Sequence, residues 1–269
     1  ISFIQNFTLD KVSINDISSD DSLWVYKSDL SLLTAKVIDS LGNFNGIIIN
    51  GMQEGFWRYF HNNGQINAEL NFVNSKASLD IGATGVPTNG RIGNANFWHE
   101  NGQQSEIKKY NANNKLNGSY QRWFENGQLD FQSNYNDGKL NGSSQQWYEN
   151  GQLEIQSNYN DGKLNGSSQE WFENGQQYYQ ANYKDDKLNG SYISWYENGQ
   201  QKFKLNYKDG KMNGSYQLWF ENGQSQVQTS YKEGKINGVF TSWFSNGTKK
   251  FEGLYEMGSK EGLHTKWFI

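Results

Sequence analysis

A carboxylate stands before an Asn-Gly pair at Glu125, Glu149, Glu173, Glu197 and Glu221, each 24 residues after the last. Carboxylates do general acid–base chemistry in pairs only when proximity and burial drive their pKa values apart. If each copy advances the row by two strands, neighbours lie about 10 Å apart, too far for a shared proton. A second acidic row, Asp137, Asp161, Asp185, Asp209 and Glu233, raises calcium as a ligand. Its loops lack the dense Asp and Gly spacing of EF-hands and calcium-binding β-rolls, so these residues read as solvated turn positions. Lys139, Lys163, Lys187, Lys211 and Lys235 run beside them. The two fields largely cancel, which disfavours a phosphoinositide site. His61, His99 and His264 show no HxH or HExxH spacing and read as strand or turn residues. With no cysteine, there are no disulfides and no thiolate metal sites. No catalytic set, metal site or cofactor emerges, and the chain reads as non-enzymatic.

One aromatic row does ask for a function. Trp123, Trp147, Trp171, Trp195, Trp219 and Trp243 recur at the same interval of 24 residues, with Trp267 completing the series. Tryptophan offers large contact area and a polar N–H, so a row of it among amide side chains suits sugar rings or a protein partner. The competing use, and the commoner one in repeat proteins, is to pack on Gln and Lys stems and shield the sheet.

The elements that position these residues follow from one copy, Gly118 to Asn141. Two alternating runs, Gly118 to Glu125 and Gln128 to Tyr135, flank Asn126-Gly127, a dipeptide favoured in two-residue type I′ hairpin turns. The same pair recurs at Asn150-Gly151, Asn174-Gly175, Asn198-Gly199 and Asn222-Gly223. Such a turn pairs Glu125 with Gln128, Phe124 with Leu129, Arg122 with Phe131 and Tyr120 with Ser133. One face then carries Tyr120, Phe124, Leu129, Phe131 and Tyr135. The other carries Trp123 among Gln121, Asp130, Gln132 and Asn134. The link Asn136 to Gly142 reads as a longer turn with two glycines. A hairpin is marginal alone, so the expectation is an all-β, elongated single-layer antiparallel sheet of stacked β-hairpin repeats of 24 residues.

Along the chain, residues 1–44 read as an N-terminal cap or degenerate first repeat, with β-like runs at Ile1 to Phe7 and Leu23 to Tyr26. Residues 45–72 read as divergent repeats, 73–92 as an insertion or loop holding the sole proline, Pro87, and 93–269 as regular repeats. Tyr110 to Lys115 holds one extra residue. Asn-Gly-Ser at Asn117, Asn141, Asn165, Asn189 and Asn213 matches the glycosylation sequon, but turn chemistry already explains it.

Composition narrows the partners. A net charge of −4 with alternating signs offers no basic field for phosphate backbones, so nucleic acid is not expected. The longest aliphatic run, Ile47-Ile48-Ile49, is far short of the roughly 18 residues of a transmembrane helix. The start at Ile1 reads as a mature form after signal removal or a trimmed chain, and an exported or cell-surface protein is expected.

The pattern Gly-x-Tyr-x-x-Trp-Phe-Glu-Asn-Gly-Gln, with Tyr-x-x-Gly-Lys-x-x-Gly following, resembles the variant MORN repeat of bacterial proteins of the YwqK type, often labelled antitoxins. The resemblance spans about residues 45 to 269, with Ser245 and Thr248 departing from it at one turn. It implies a β-hairpin array whose roles are protein interaction, scaffolding or membrane-linked placement, and it supplies no catalytic residues. A non-enzymatic scaffold with a protein partner is the expected function. The alternatives are polysaccharide or cell-envelope binding through the tryptophans and, on the family label alone, an antitoxin-like immunity role. Both sheet ends are edges open to self-association.

Overall fold

A computed structural model describes residues 10–13, 16–20, 23–28, 31–32, 34–38, 44–76 and 86–268. The fold is all-β, and its strands pair almost throughout as antiparallel hairpins. Two compact units divide the chain: the part up to Leu129 with Asn134–Lys139, and Asp130–Ser133 with Leu140 onward.

The first unit contains β1 (Lys11–Ser13), β2 (Ile17–Asp20), β3 (Leu23–Tyr26), β4 (Ala35–Ile38), β5 (Phe44–Ile49), β6 (Met52–Phe60), β7 (Ile66–Ser75), β8 (Arg91–Trp98), β9 (Gln104–Tyr110) and β10 (Gly118–Trp123). Strand β11 (Leu129–Asn136) has residues in both units. From β4 to β10 consecutive strands pair antiparallel. By contrast β1 lies parallel to β4, and β2 and β3 form their own hairpin. The run expected at Ile1 to Phe7 lies outside the described residues.

This unit has a conventional core. Ala68, Leu70 and Phe72, which share one parity of β7, are all buried, with Ile48, Trp57, Ala95 and Phe97 packed around them. Each large side chain so buried contributes on the order of 1.5–3 kcal/mol. The Trp57 indole donates to the Ile47 carbonyl at 3.1 Å. It lies so close over Gly46 that a Cβ there would sit 2.1 Å from the ring, which explains the glycine. Arg91 is buried as well. Its guanidinium donates to the carbonyls of Pro87 (2.7 Å) and Val86 (3.0 Å) and to the Tyr110 hydroxyl (3.0 Å), tying residues 86–87 to the sheet.

The second unit comprises β12 (Lys139–Trp147), β13 (Leu153–Asn160), β14 (Lys163–Trp171), β15 (Gln177–Lys184), β16 (Lys187–Trp195), β17 (Gln201–Lys208), β18 (Lys211–Trp219), β19 (Ser225–Lys232), β20 (Lys235–Ile236), β21 (Gly238–Trp243), β22 (Lys249–Glu256) and β23 (Ser259–Lys266). It buries mostly small residues in mid-sheet beneath rings from neighbouring columns. Ser144, Ser157, Ser168, Ala181, Leu205 and Thr229 are buried. Tyr192 stacks on Tyr179 (5.6 Å between centroids) and on Phe203 (5.2 Å).

The turns are the reverse of the sequence expectation. At Asn126-Gly127 the Gly127 N–H donates to the Phe124 carbonyl, and the Phe124 N–H to the Gln128 carbonyl. That is a three-residue loop with Gly127 alone at positive φ (84°), not a type I′ turn pairing Glu125 with Gln128. The type I′ turn lies at the other end of the hairpin. Asp161 (φ 50°) and Gly162 (φ 82°) join Asn160 to its partner Lys163. The link from Asn136 to Gly142 is therefore tight, not long, with Asp137 and Gly138 both at positive φ. At Asn111 to Lys115, the extra residue converts this turn to the three-residue form, with Asn114 at φ 59°.

The longer loop shifts pairing by one residue, and a bulge returns it. In the copy after Gly118–Asn141, Trp147 opposes Leu153, Glu154 is passed over, and Gln146 opposes Ile155. Beyond the bulge the register matches the sequence reading, with Ser144 opposite Ser157. Next to the turn it does not. The leucine expected on the tyrosine face pairs with the tryptophan instead.

Candidate functional site

In the second unit the tryptophans from Trp147 to Trp243 form a column on the face opposite the tyrosines. Gln145 and Trp147 alternate on one side of β12, Gln169 and Trp171 on one side of β14, and Gln217 and Trp219 on one side of β18. All six indoles from Trp123 to Trp243 are half-buried, neither exposed nor in a core. None of their N–H groups has a hydrogen-bond partner among the described residues. Beside the indoles runs a second column. Gln145 opposes Gln156, Gln156 opposes Gln169, and Gln169 opposes Gln180.

The Asn-Gly turns hold a function in the fold that their backbone preference does not explain. Each Asn side chain works in both directions. The Asn150 carboxamide oxygen accepts from the Gln152 N–H (2.9 Å), and its NH2 donates to the Glu173 carbonyl (3.0 Å) in the next copy. Asn101, Asn174, Asn198 and Asn222 repeat the reach to Glu125, Glu197, Glu221 and Ser245. The turn glycines also leave room for a neighbour. A Cβ at Gly175 would lie 2.2 Å from the Gln152 side-chain oxygen, and one at Gly199 2.4 Å from that of Gln176. At the opposite edge the Gly162 N–H donates to the Leu140 carbonyl, and Gly210 to Leu188.

The histidines hold structural bonds of the same kind. His61 Nε2 meets the Trp98 carbonyl and His99 Nε2 the Trp123 carbonyl, each at 2.9 Å, so each ring donates through Nε2. In later copies the same position is a tyrosine at Tyr148 and Tyr196 and a phenylalanine at Phe124, Phe172, Phe220 and Phe244. The Tyr148 and Tyr196 hydroxyls donate to the carbonyls of Trp171 and Trp219.

The carboxylate row from Glu125 to Glu221 lies exposed along the three-residue turns. Among the described residues no three His, Cys, Asp or Glu side chains gather to hold a metal. Lys115 pairs with Asp137 at 2.8 Å, which with Asn111 holds the Asp137 carboxyl below its ordinary range. Burial raises the Glu170 carboxyl, and repulsion from Glu154 adds to it. No helix among the described residues is long and apolar enough to cross a membrane.

Two open hollows were not foreseen. One, of about 490 Å³ in the first unit, is walled by Ile47, Ile49, Val73 and Ile92 and lies over Gly55 and Gly93. Ile49 and Val73 are exposed at its rim. The other, of about 420 Å³ in the second unit, adjoins the tryptophan column at Trp243 and is lined by Ser215, Gln228, Ser230, Val239 and Thr241, with Lys249 and Glu252 from β22. The aliphatic run Ile47 to Ile49 was the sequence signal for the first. The second depends on side chains from four strands, which no sequence window brings together.

Six stretches of the chain match the model of a MORN repeat variant: residues 53–74, 116–137, 140–161, 164–185, 188–209 and 212–233. Together they cover a little under half of the chain. Among curated proteins nothing matches significantly. Solved structures similar to the chain include a crystal structure of TcdB2-TccC3, at 9% identity and a TM-score of 0.21 over 91% of this chain. Another is a crystal structure of TcdB2-TccC3-Cdc42, at 10% identity and a TM-score of 0.16 over 91% of this chain. The chain spans only 17% and 14% of the lengths of those two, and at such scores the likeness carries no argument.

Proposed function

From the premise that this is a MORN-repeat protein, we propose that it is a non-enzymatic scaffold that holds a protein partner on its extended β-surface. The observation that carries this reading is the way the copies are joined. Equivalent side chains from Asn101 to Asn222 are spent on the next copy's backbone, so the repeat maintains an extended surface instead of enclosing a site. The apolar hollow bounded by Ile49 and Val73 is the point on that surface best suited to a partner's side chain, since exposed apolar patches mark interaction sites. An antitoxin-like role and a bacterial source have only the resemblance behind them.

The test is capture from extracts of the source cells with the wild type and with Ile49→Asp, Val73→Asp. Recovery of one defined protein by the wild type and its loss with the variant supports the scaffold reading. Equal capture by both moves the contact elsewhere on the sheet. Capture of nothing by either, together with a measurable turnover of any small substrate, overturns it.

A further inference from the structure

We propose that the indole-and-amide face of the second unit binds an uncharged, extended β-linked polysaccharide chain, an activity that the scaffold reading does not require. Four consecutive strands each place one glutamine in a single column, Gln145, Gln156, Gln169 and Gln180, at about one amide per 4.8 Å. All four are half-buried. None of their carboxamides has a partner among the described residues. Trp147, Trp171 and Trp195 stand beside that column on alternate strands, half-buried and with free N–H donors.

The chemistry of this face selects its ligand. Alternation from Ser143 to Trp195 puts Ser, Asn, Gln, Trp and one Ile in its middle, with Lys163, Lys184 and Lys187 confined to the strand ends beside the Asp161-Gly162 and Asp185-Asp186 turns. The middle of the face, where the indoles and amides stand, presents no cation to nucleic acid, sulfated polymers or anionic lipid, all of which are held by cations. Amides with unused donors and acceptors match hydroxyl groups, and a half-buried indole offers a flat ring to a pyranose. The face also repeats by translation, with one indole for every two amides. An irregular protein surface has no such period, whereas a glycan chain does. Farther along the second unit the hollow beside Trp243, with Gln228, Ser215, Ser230, Thr241 and the Lys249–Glu252 ion pair on its walls, provides depth enough for a sugar ring.

The experiment uses the whole chain with hexasaccharides of β-1,4-linked glucose and β-1,4-linked N-acetylglucosamine, and dextran sulfate as the charged control. Binding is read by tryptophan fluorescence and calorimetry. The expected result is saturable binding of at least one neutral hexamer, unchanged by added salt, and no binding of dextran sulfate. Trp147→Phe, Trp171→Phe, Trp195→Phe together should weaken it about tenfold or more. Gln156→Leu with Gln169→Leu, which leaves the indoles in place, should weaken it as well, so a folding defect in the first variant does not end the test. The proposal is overturned if neither hexamer binds, if both variants bind as the wild type does, or if the face instead mediates self-association that both variants abolish. Each of those results leaves protein capture through the hollow at Ile49 unaffected, so the two readings fail separately.

Discussion

The Tyr148 hydroxyl donates to the Trp171 carbonyl at 2.8 Å, and the corresponding residue one copy later, Phe172, has no hydroxyl to do the same for Trp195. Replacing Tyr148 with Phe should therefore cost about 0.5–1.5 kcal/mol, and Phe172→Tyr should gain a similar amount. Urea unfolding of both variants checks the pair. Equal and opposite shifts in midpoint identify the hydroxyl as the source.

Asn150 offers a separate test of the bonds between copies. Asn150→Asp keeps the acceptor for the Gln152 N–H but replaces the donor to the Glu173 carbonyl with a carboxylate facing an oxygen. The aspartate variant should lose about 1 kcal/mol or more in urea, and losing no stability would assign the role of Asn150 to its turn alone.

The two turn classes differ in what they tolerate. At Asp161-Gly162 both residues occupy left-handed backbone, so Gly162→Ala should cost about 1–2 kcal/mol while Asp161→Asn should be nearly neutral. At the three-residue loop Asn150 is not at positive φ, so strain there falls on Gly151 (φ 84°) alone. Thermal melts of Gly162→Ala, Gly151→Ala and Asp161→Asn separate these cases.

In the first unit, truncating Phe72 to Ala should cost about 3–5 kcal/mol, because the ring is fully buried among Leu70, Phe97 and Trp57. A loss under 1 kcal/mol by urea titration would mean that the site refills.

Glu170 sets a pH dependence. Burial and the neighbouring Glu154 raise its folded pKa above the unfolded value, so its neutral form favours the fold. That contribution is present at low pH and fades as the pH rises through the folded value. Glu170→Gln should therefore raise stability at pH 7, where Gln already fills the equivalent position at Gln146, and should flatten the profile across the carboxylate range. Melting temperature against pH for both proteins decides it.

The period, the tyrosine and tryptophan faces and the pairing beyond the bulge were legible from alternation and spacing. The turns were not, because Asn-Gly and Asp-Gly are both type I′ dipeptides and their local preferences do not rank them. The deciding contact is the bond from Asn150 to Glu173, 23 residues along, which no local window contains. The leucine next to the turn was misplaced for the same reason, since its face depends on a bulge that only the three-residue loop makes necessary. In the first unit, Arg91 gave no sign of burial. Its partners are carbonyls at Val86 and Pro87, and a carbonyl leaves no trace in side-chain pattern.

The bonds from each asparagine to the next copy carry a consequence for how such a chain can change length. From Asn150 to Asn222 each donor finds its acceptor 23 residues on, so removing or inserting one whole period there leaves each remaining bond with an equivalent partner. A deletion of half a period would join an Asn-Gly loop to an Asp-Gly edge and strand a row of amides. Whole-unit gain and loss is thus the indel this backbone absorbs, and the reach of any surface it presents can vary in steps of two strands while the chemistry of each step stays the same.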